Sequence, residues 1–498
     1  MEPFIQEDLS LQASFLHGIN SPKINIFRMK HPNFAGLSVV TRWLTPLHSS
    51  MLRLGKASMK MGLLAPALFE MIAYLLAMYV LSKDFKIPEY IAIIVPFIAL
   101  NVGGFGFFGF LINATRTNRF ADYVTDMYMG HPSRFHPLLN IYLASPGTVF
   151  ALSILSPLYV IIFKIANKAI KLDKISSLFI GFIPGLLLPP SQHQAYFGFA
   201  TYFAIFVLLY LFEGKGSFSF PLMAIGFCAG TAFHIPRMLT PTFLSNLFGI
   251  ESPWAMLYKR GVLFPAVDFW MGMYGTFQVI LLCGFFLLRK SERLLFLPSV
   301  VCFFIFTFLK LVPFCEYTSV TVFCVFMIIS GVVYAAIWYR FSLLPKTLES
   351  KGVVAMLAVI MTVITCLSSV IGAQKQWTNL SPSWYDVDET LTTWAMKKTP
   401  RNSVFLAPRS DIQAISVIAG RQVFMSSIRS MRHTGVDKEK RESELKEIIA
   451  NNCTGLEKLV DYIIRGNSVV NDLAKEVLPD SWSEVYSNRE YTVYQYKK

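Results

Sequence analysis

The sequence predicts an α-helical multi-pass membrane protein with about ten spans, followed by a soluble α/β domain. Three observations predict this fold class. The 498-residue chain is 54% hydrophobic and only 15% charged, whereas a soluble domain carries about 25% charged residues. Apolar runs of about 20 residues, long enough to cross a bilayer, recur through residues 62–373. From residue 374 to residue 498 the composition is charged and mixed, and no further run of that kind follows.

The N-terminal region is polar to mixed and precedes the first predicted span. Between Thr41 and Gly62, apolar residues recur at helical spacing with basic residues between them, which predicts an amphipathic helix on a membrane surface. Residues 1–35 lack the apolar core of a signal peptide. Three domains are therefore predicted: a membrane-surface region (1–61), a transmembrane domain (62–373) and a soluble domain (374–498).

The predicted spans are apolar runs joined by short loops, and the fourth is short and contains Pro184. The spans lie at 62–82, 90–112, 142–163, 175–189, 196–213, 218–234, 262–288, 294–313, 317–340 and 352–373. The loops between them alternate in charge. The short basic loops are 83–89, 164–174, 213–216, 289–293 and 340–351. The positive-inside rule places these loops in the cytosol, so the other loops and the tail are predicted to be lumenal.

Two glycosylation sequons, Asn113-Ala-Thr and Asn452-Cys-Thr, fall on the predicted lumenal side. The same alternation places residues 1–61 there, although that region holds seven lysines and arginines and follows no span. Two alternatives stay open. Either the number of spans differs by one, or the chain begins after a first span that its relatives have.

The tail has the pattern of an α/β domain. Short apolar runs predict strands, and helical periodicity predicts helices between them. The strands are predicted at 403–407, 422–426, 460–465, 483–487 and 491–497, and the helices at 388–398, 412–420 and 438–451. This alternation indicates a small parallel or mixed sheet.

Several classes of site are not predicted. The tail has no glycine-rich phosphate loop, which argues against nucleotide binding. The seven cysteines have no metal-binding spacing, so no residue is predicted as a metal ligand. The net charge of +14 is assigned to cytosolic loops, so nucleic acid is not predicted as a partner.

Residues 394–424 resemble the start of the soluble tail in polytopic glycosyltransferases of the C-type fold (GT-C), which use lipid-phosphate-activated sugars. The shared pattern is W-x-x-x-N-T-P-x-x-A-V-F-L … G-R. It is matched at Trp394, Thr399-Pro400, Val404-Phe405-Leu406 and Gly420-Arg421. Further similar stretches lie at 31–48, 189–199, 264–275, 433–441 and 483–497.

The resemblance implies a GT-C-like hexosyltransferase, with mannose or glucose as the sugar. It implies transfer from a dolichyl- or polyprenyl-phosphate donor to a hydroxyl group of a lumenal protein, glycan or lipid. It also implies a place in the endoplasmic reticulum membrane, contact with membrane lipids, and a divalent cation as a candidate cofactor. Two alternatives stay open: a non-catalytic relative that binds a lipid phosphate or serves as a partner subunit, and a transporter. The spans hold few internal charges and show no inverted repeat, which disfavours the transporter.

The sequence departs from the family pattern in two places. Relatives often carry F-Q-P-W-D-W-D-N-x-K before the penultimate helix, where this chain has LKLVPFCEYTSV (309–320). The family's catalytic acid normally follows a first span, whereas no apolar span precedes Glu7 and Asp8. Both departures favour the non-catalytic alternative.

The implied transfer needs a carboxylate that accepts the proton of the acceptor hydroxyl. Asp8 and Glu7 are the first candidates by position, and the alternative is a solvated acidic turn. Asp122 and Asp126 are the second candidates, because a spacing of four residues places them on one face of a helix. Their alternative is a surface helix, ion-paired with neighbouring arginines.

The departing lipid phosphate needs positive charge. Arg237 and Lys310 lie at lumenal ends of predicted spans, where a basic group either snorkels or meets an anion. His193 lies in a turn between two spans, as a phosphate ligand or as a polar helix cap. Arg421 follows the helix-ending Gly420 and either reaches toward the membrane face or pairs with a tail carboxylate.

Two further acids lie near predicted spans. Asp268 lies about two turns inside one, where a charge needs a partner, and its alternative is an interfacial or helix-capping role. Glu316 lies in the turn between two spans, and its alternative is a solvated side chain.

Overall fold

The computed structural model gives the arrangement of most of the chain. It describes residues 3–21, 29–35, 39, 42–102, 146–213, 218–238, 248–249, 274–308, 310–311, 318–378, 389–407, 414–424, 441, 443–447, 455–466 and 480–497.

The described chain is mostly helical, with a small sheet near its C-terminus. Its helices are α1 (Pro3–Leu16), α2 (Leu44–Leu54), α3 (Met59–Asp84), α4 (Glu89–Ala92), α5 (Val95–Asn101), α6 (Pro146–Ala166), α7 (Lys174–Ser191), α8 (His193–Phe212), α9 (Ser219–Ala232), α10 (Ile235–Met238), α11 (Thr276–Cys283), α12 (Lys290–Phe308), α13 (Thr318–Leu343), α14 (Leu348–Thr378), α15 (Glu389–Lys398) and α16 (Ala414–Val417). Its strands are β1 (Phe248–Gly249), β2 (Lys310–Leu311), β3 (Val404–Leu406), β4 (Gln422–Val423), β5 (Tyr462–Gly466), β6 (Trp482–Ser487) and β7 (Tyr491–Tyr496).

Five helices in the described ranges are long and apolar enough to cross a membrane. These spans are Leu64–Asp84, Gly147–Ala166, Lys174–Ser191, His193–Phe212 and Leu348–Leu367. Four shorter apolar helices are Glu89–Asn101, Ser219–Ala232, Thr276–Leu287 and Ile328–Leu343. The multi-pass character is therefore confirmed, and the count of about ten spans stays a prediction.

The basic loops meet at one end of the helical body. Lys164, after α6, lies 3.6 Å from the Asp84 carboxylate at the end of α3. Lys290, at the start of α12, lies 3.9 Å from the Glu213 carboxylate after α8. Arg340, near the end of α13, joins these two groups of loops, since its guanidinium donates to the carbonyl oxygen of Phe85 and to the carboxylate of Glu292. The described parts of the basic loops thus meet at one end of the body, the basic end, and the turn at Gln192 between α7 and α8 lies at the opposite, tail-side end.

The tail folds as a mixed five-stranded sheet. The strand order is β4-β3-β5-β7-β6, with β4, β3 and β5 parallel and β7 antiparallel to both β5 and β6. Adjacent residues of β3 face opposite sides, since Phe405 packs with α15 and α16 while Leu406 packs in the other core. The expected small α/β sheet is confirmed. The described part of the predicted helix at 412–420 ends at Val417, three residues before Gly420, which has φ +64°.

The N-terminal region completes the tail. Residues 32–35 run along the outer edge of β4, where Ala35 N donates to Val423 O (3.0 Å) and Val423 N donates to Pro32 O (2.8 Å). Phe34 is 0% exposed and packs in the tail core. The division into domains at residues 61 and 373 remains a prediction, and these contacts join the first predicted domain to the third.

Helix α2 exposes apolar residues and buries polar ones. Thr45, Ser49 and Ser50 face the protein, while Met51 and Leu54 are 60% and 69% exposed. This inverted pattern is what an interfacial helix needs when its outer face meets lipid. The predicted membrane-surface helix within 41–62 corresponds to α2 in position.

Four glycines bring α7 and α9 into backbone contact. Gly181 and Gly185 on α7, like Gly226 and Gly230 on α9, are four residues apart, so each pair lies on one helix face. A Cβ at Gly185 would overlap the carbonyl of Phe227, and the other three glycines oppose backbone in the same way. Small residues at this spacing let helices approach closely within a bilayer.

We expect Gly226→Ala to lower the free energy of unfolding by about 1–3 kcal/mol, because the added methyl group must push two backbones apart. The midpoint of thermal unfolding of the purified full-length protein measures this. Gly352→Ala is the matched control, since no heavy atom lies within 4 Å of a Cβ at that helical position. There alanine should be neutral or stabilising, because it favours helix more than glycine does. Equal losses at both sites would contradict the close packing.

Candidate functional site

Arg421 connects the N-terminal region to the tail through hydrogen bonds. Its side chain is 2% exposed, and each of its N–H groups donates to an oxygen of the protein. The acceptors are the carbonyl oxygens of His17 (3.0 Å), Ala419 (3.0 Å), Ala395 (3.3 Å), Met396 (2.9 Å) and Thr399 (3.1 Å), and the hydroxyl Oγ1 of Thr399 (3.1 Å). Burial, reinforced by the nearby Arg401, lowers the pKa of Arg421.

These bonds correct the sequence interpretation of Arg421. A phosphate ligand needs free donors, and a carboxylate partner was the alternative. The guanidinium instead binds backbone carbonyls from three segments and has no donor left over. We therefore assign Arg421 a structural role.

Helix α1 lies between the tail and the helical body. Its residues from Leu9 to Ser14 are all 0% exposed, and the helix packs on α2 and on α16. Next to it, a Cβ on Gly18 would overlap the Gly420 carbonyl, so the two chain segments touch through their backbones. Glu7 and Asp8 lie in the first half of α1, and their side chains are outside the described residues.

A basic cluster lies at the same junction. The Arg53 guanidinium on α2 donates through Nη1 to Gln12 Oε1 on α1, at 3.2 Å. His17 Nε2 lies 2.7 Å from the carbonyl oxygen of Ile418, which only accepts, so this nitrogen carries the proton. Burial is the main cause that lowers the pKa of His17; the Ile418 bond opposes it, and three arginines reinforce it. His17 is therefore neutral at pH 7.

A layer of buried polar side chains lies at the tail-side end of the helical body. Gln192 sits in the extended turn between α7 and α8, with φ −154°, and its Nε2 donates to Thr148 Oγ1 at 2.9 Å. His193 and Gln194 follow at the start of α8, at 1% and 3% exposure. His193 is thus inside the protein, at a helix start between two spans, and its two predicted roles stay predictions.

Glu70 is an acid that the sequence interpretation missed. It lies on the buried face of α3, one turn before Tyr74, and is 8% exposed. Neither carboxylate oxygen accepts a hydrogen bond from any described residue. Helices α3 and α6 are joined at the Asp84–Lys164 pair, and counting the same number of residues back from that pair along each helix places Glu70 at about the height of residue 150. A lone acid inside an apolar span was the sequence signal for it.

We expect Glu70→Gln to raise the free energy of unfolding by about 1–3 kcal/mol, because a neutral amide is less costly to bury than an unpaired carboxylate. Thermal unfolding of the full-length protein measures this. Glu349→Gln, an exposed acid at the basic end, should change nothing. A loss of stability in Glu70→Gln would reveal a partner of the carboxylate and contradict this prediction.

The other predicted site residues have partial descriptions or none. Arg237 lies in α10 and Lys310 in β2, where its backbone pairs with Gly249 of β1. Their side chains, like those of Glu7 and Asp8, are outside the described set. Six predicted residues lie wholly outside the described residues: Asn113, Asp122, Asp126, Asp268, Glu316 and Asn452. Among the residues with described positions, no group of three or more metal-ligating side chains occurs.

Comparisons with known proteins gave one kind of match. No protein-family model matches the chain, and no curated protein matches it. Solved structures that resemble it include the oligosaccharyltransferase of Archaeoglobus fulgidus, which was crystallised with a tethered acceptor peptide containing an NVT sequon. The identity is 13% and the TM-score 0.41, over 93% of this chain and 65% of that one, so the chain spans less than two thirds of that protein. At this level the likeness concerns chain arrangement and carries nothing about activity.

Proposed function

We propose that this chain is a membrane-embedded glycosyltransferase of the GT-C type. It moves a hexose, mannose or glucose, from a dolichyl- or polyprenyl-phosphate donor to a hydroxyl group of a lumenal protein, glycan or lipid. The observation that carries the proposal is the burial of residues 9–14 of α1, the helix that includes Glu7 and Asp8, between the tail and the tail-side end of the helical body. A donor in the bilayer and an acceptor in the lumen would meet at this boundary.

The proposed reaction forms one bond, breaks another and transfers one proton. The acceptor oxygen bonds to the anomeric carbon of the sugar, and the bond from that carbon to the phosphate oxygen breaks with its electrons on the phosphate. A carboxylate takes the hydroxyl proton, the role proposed for Asp8 or Glu7, with Asp122 and Asp126 as further candidates. Arg237, Lys310 and His193 keep their proposed roles toward the phosphate.

The distribution of charge supports the proposed orientation. The basic loops gather at one end of the helical body, where cytosolic loops carry lysine and arginine. The tail and the polar layer lie at the other end, which the proposal assigns to the lumen of the endoplasmic reticulum.

Transfer from radiolabelled dolichyl-phosphate mannose and dolichyl-phosphate glucose tests the proposal. Membranes containing the wild-type chain should label an endogenous acceptor with one donor, and the Glu7→Gln/Asp8→Asn variant should lose at least about 100-fold of that rate. Glu349→Gln is the matched control, an exposed acid at the basic end. Folded wild-type protein that transfers from neither donor would overturn the proposal in favour of a non-catalytic lipid-phosphate-binding subunit.

A further inference from the structure

We infer that Arg53 and Gln12 form a binding site for a lipid-borne phosphate group, at the junction of α1, α2 and the tail. The inference deepens the proposed function, since it names residues outside the predicted set that would hold the phosphate of the donor. Binding itself does not depend on catalysis and is measured separately.

Arg53 has the donors that a phosphate needs. Its Nη1 donates to Gln12 Oε1, and within the described ranges no acceptor lies on its other N–H groups. The side chain is half-buried on α2, next to Leu52 and Leu54, which are exposed. A planar guanidinium offers two parallel N–H groups to phosphate oxygens.

Gln12 supplies a second donor that lacks an acceptor. It is 0% exposed, its Oε1 is bonded to Arg53, and its Nε2 is buried without a hydrogen-bond partner in the described structure. An unsatisfied buried donor destabilises the protein, and a hydrogen bond to an anionic ligand would remove that cost.

Gly62 packs the backbone of α3 against Arg53 and Gln12. A Cβ at this position would lie 3.0 Å from Arg53 Cγ, 3.2 Å from Gln12 Nε2 and 3.2 Å from the carbonyl oxygen of Ser49. These distances are shorter than ordinary van der Waals contact, so a larger residue would displace both side chains. Glycine therefore lets the two donors lie directly against α3.

The local charge also favours an anion. The described charged groups that act on His17 are Arg53, Arg421 and Arg401, all of them positive. Arg421 is buried on carbonyl groups and pairs with no described carboxylate, so its charge adds to that of Arg53. Arg401 is exposed on the tail. These arginines favour an anion at the junction, and Glu7 and Asp8, whose side chains lie outside the described residues, belong to the same helix as Gln12.

The apolar surface beside Arg53 indicates that the phosphate comes from a lipid. Met51 and Leu54 on α2 are mostly exposed, and the exposed row continues along α3 through Met61, Leu64 and Leu68. This row faces lipid on a helix that is long enough to span the bilayer. A ligand whose phosphate reaches Arg53 would lay its hydrocarbon chain along the same row.

Binding of dolichyl phosphate to the purified full-length protein, in nanodiscs of neutral phospholipid, tests the inference. We expect Arg53→Gln to weaken binding about 10- to 100-fold, which corresponds to the loss of a hydrogen bond to a charged group. Arg289→Gln makes the same charge change at an exposed position of the basic end and should leave binding unchanged. Equal affinity in all three proteins would overturn the inference.

A second variant eliminates the binding site without leaving a cavity in the core. Gln12→Glu keeps the shape of the side chain and pairs a carboxylate with Arg53, so it should abolish binding while the unfolding midpoint stays close to wild type. Retained binding in Gln12→Glu would contradict the site.

Competition experiments show which kind of molecule supplies the phosphate group. Phosphatidic acid that displaces dolichyl phosphate would support a general lipid-phosphate site, and its failure to do so would support a polyprenyl-specific one. Inorganic phosphate that binds as tightly as either lipid would overturn the lipid assignment. Binding that depends on Arg53 in a protein without transferase activity would keep this site and reject the proposed function.

Discussion

Arg421→Ala should lower the free energy of unfolding by about 3–5 kcal/mol, the largest loss expected from any single change in the tail. The guanidinium holds carbonyls of the His17 turn, the end of α15 and Ala419. Without it, several buried carbonyl groups lose their donors, and the N-terminal region loses a link to the tail. Thermal unfolding of the full-length protein and limited proteolysis measure the effect.

Arg421→Lys distinguishes charge from geometry. Lysine keeps the positive charge, but its three donors are on one nitrogen atom. It therefore cannot donate to carbonyls that lie on different sides of the planar guanidinium group. We expect it to recover less than half of the loss. Arg489→Ala, at an exposed tail position, is the control and should stay within about 0.5 kcal/mol of wild type. Full stability of Arg421→Lys would show that the carbonyl network contributes little.

Arg340→Met should cost about 3–5 kcal/mol at the basic end, because it leaves a buried carboxylate without its partner. Arg340 Nη1 and Nη2 lie 2.5 and 2.6 Å from the two oxygens of Glu292, whose side chain is 1% exposed. Arg340 also donates to the carbonyls of Leu287 at 2.9 Å and Phe85 at 3.4 Å. Thermal unfolding of the full-length protein measures the loss.

The double variant Arg340→Met/Glu292→Leu should regain most of that stability. Apolar residues of similar size avoid the desolvation of both charges, which is why such replacements of buried pairs are often neutral. A double variant as unstable as Arg340→Met would mean that the bonds to Leu287 and Phe85, rather than the ion pair, hold the loops together.

The pattern of apolar residues predicted the helices and strands well where it follows a single periodicity. All five tail strands lie at their predicted positions, because short apolar runs mark strands that are covered on both faces. In β7, Tyr491 and Val493 pack in one core of the tail, and Tyr494 and Tyr496 pack in the other. The lengths of the apolar runs located α3, α6, α7, α8 and α14. The charge of the loops separated the two ends of the body, since ion pairs such as Lys164–Asp84 join loops of the basic set.

The candidate site was less predictable because it depends on contacts distant in sequence. Arg421 was expected near a phosphate, and only the fold reveals that carbonyls of residues 17 and 395–399 surround it. Gln12 belongs to no sequence motif, and only its burial beside Arg53 indicates a role in binding. Glu70 could have been found from sequence, because one acid in an apolar run stands out, but its lack of a partner could not.

The junction of Gly18 with Gly420 ties together parts of the chain that leave the ribosome far apart in time. At about 5–20 residues per second, roughly 20–80 s separate the synthesis of these two residues. Throughout that interval Phe34 and the buried face of α1 have no tail to pack against. The N-terminal region must therefore wait without its partner until the tail is made, and it is during this wait that a chaperone or a protease would have access to it.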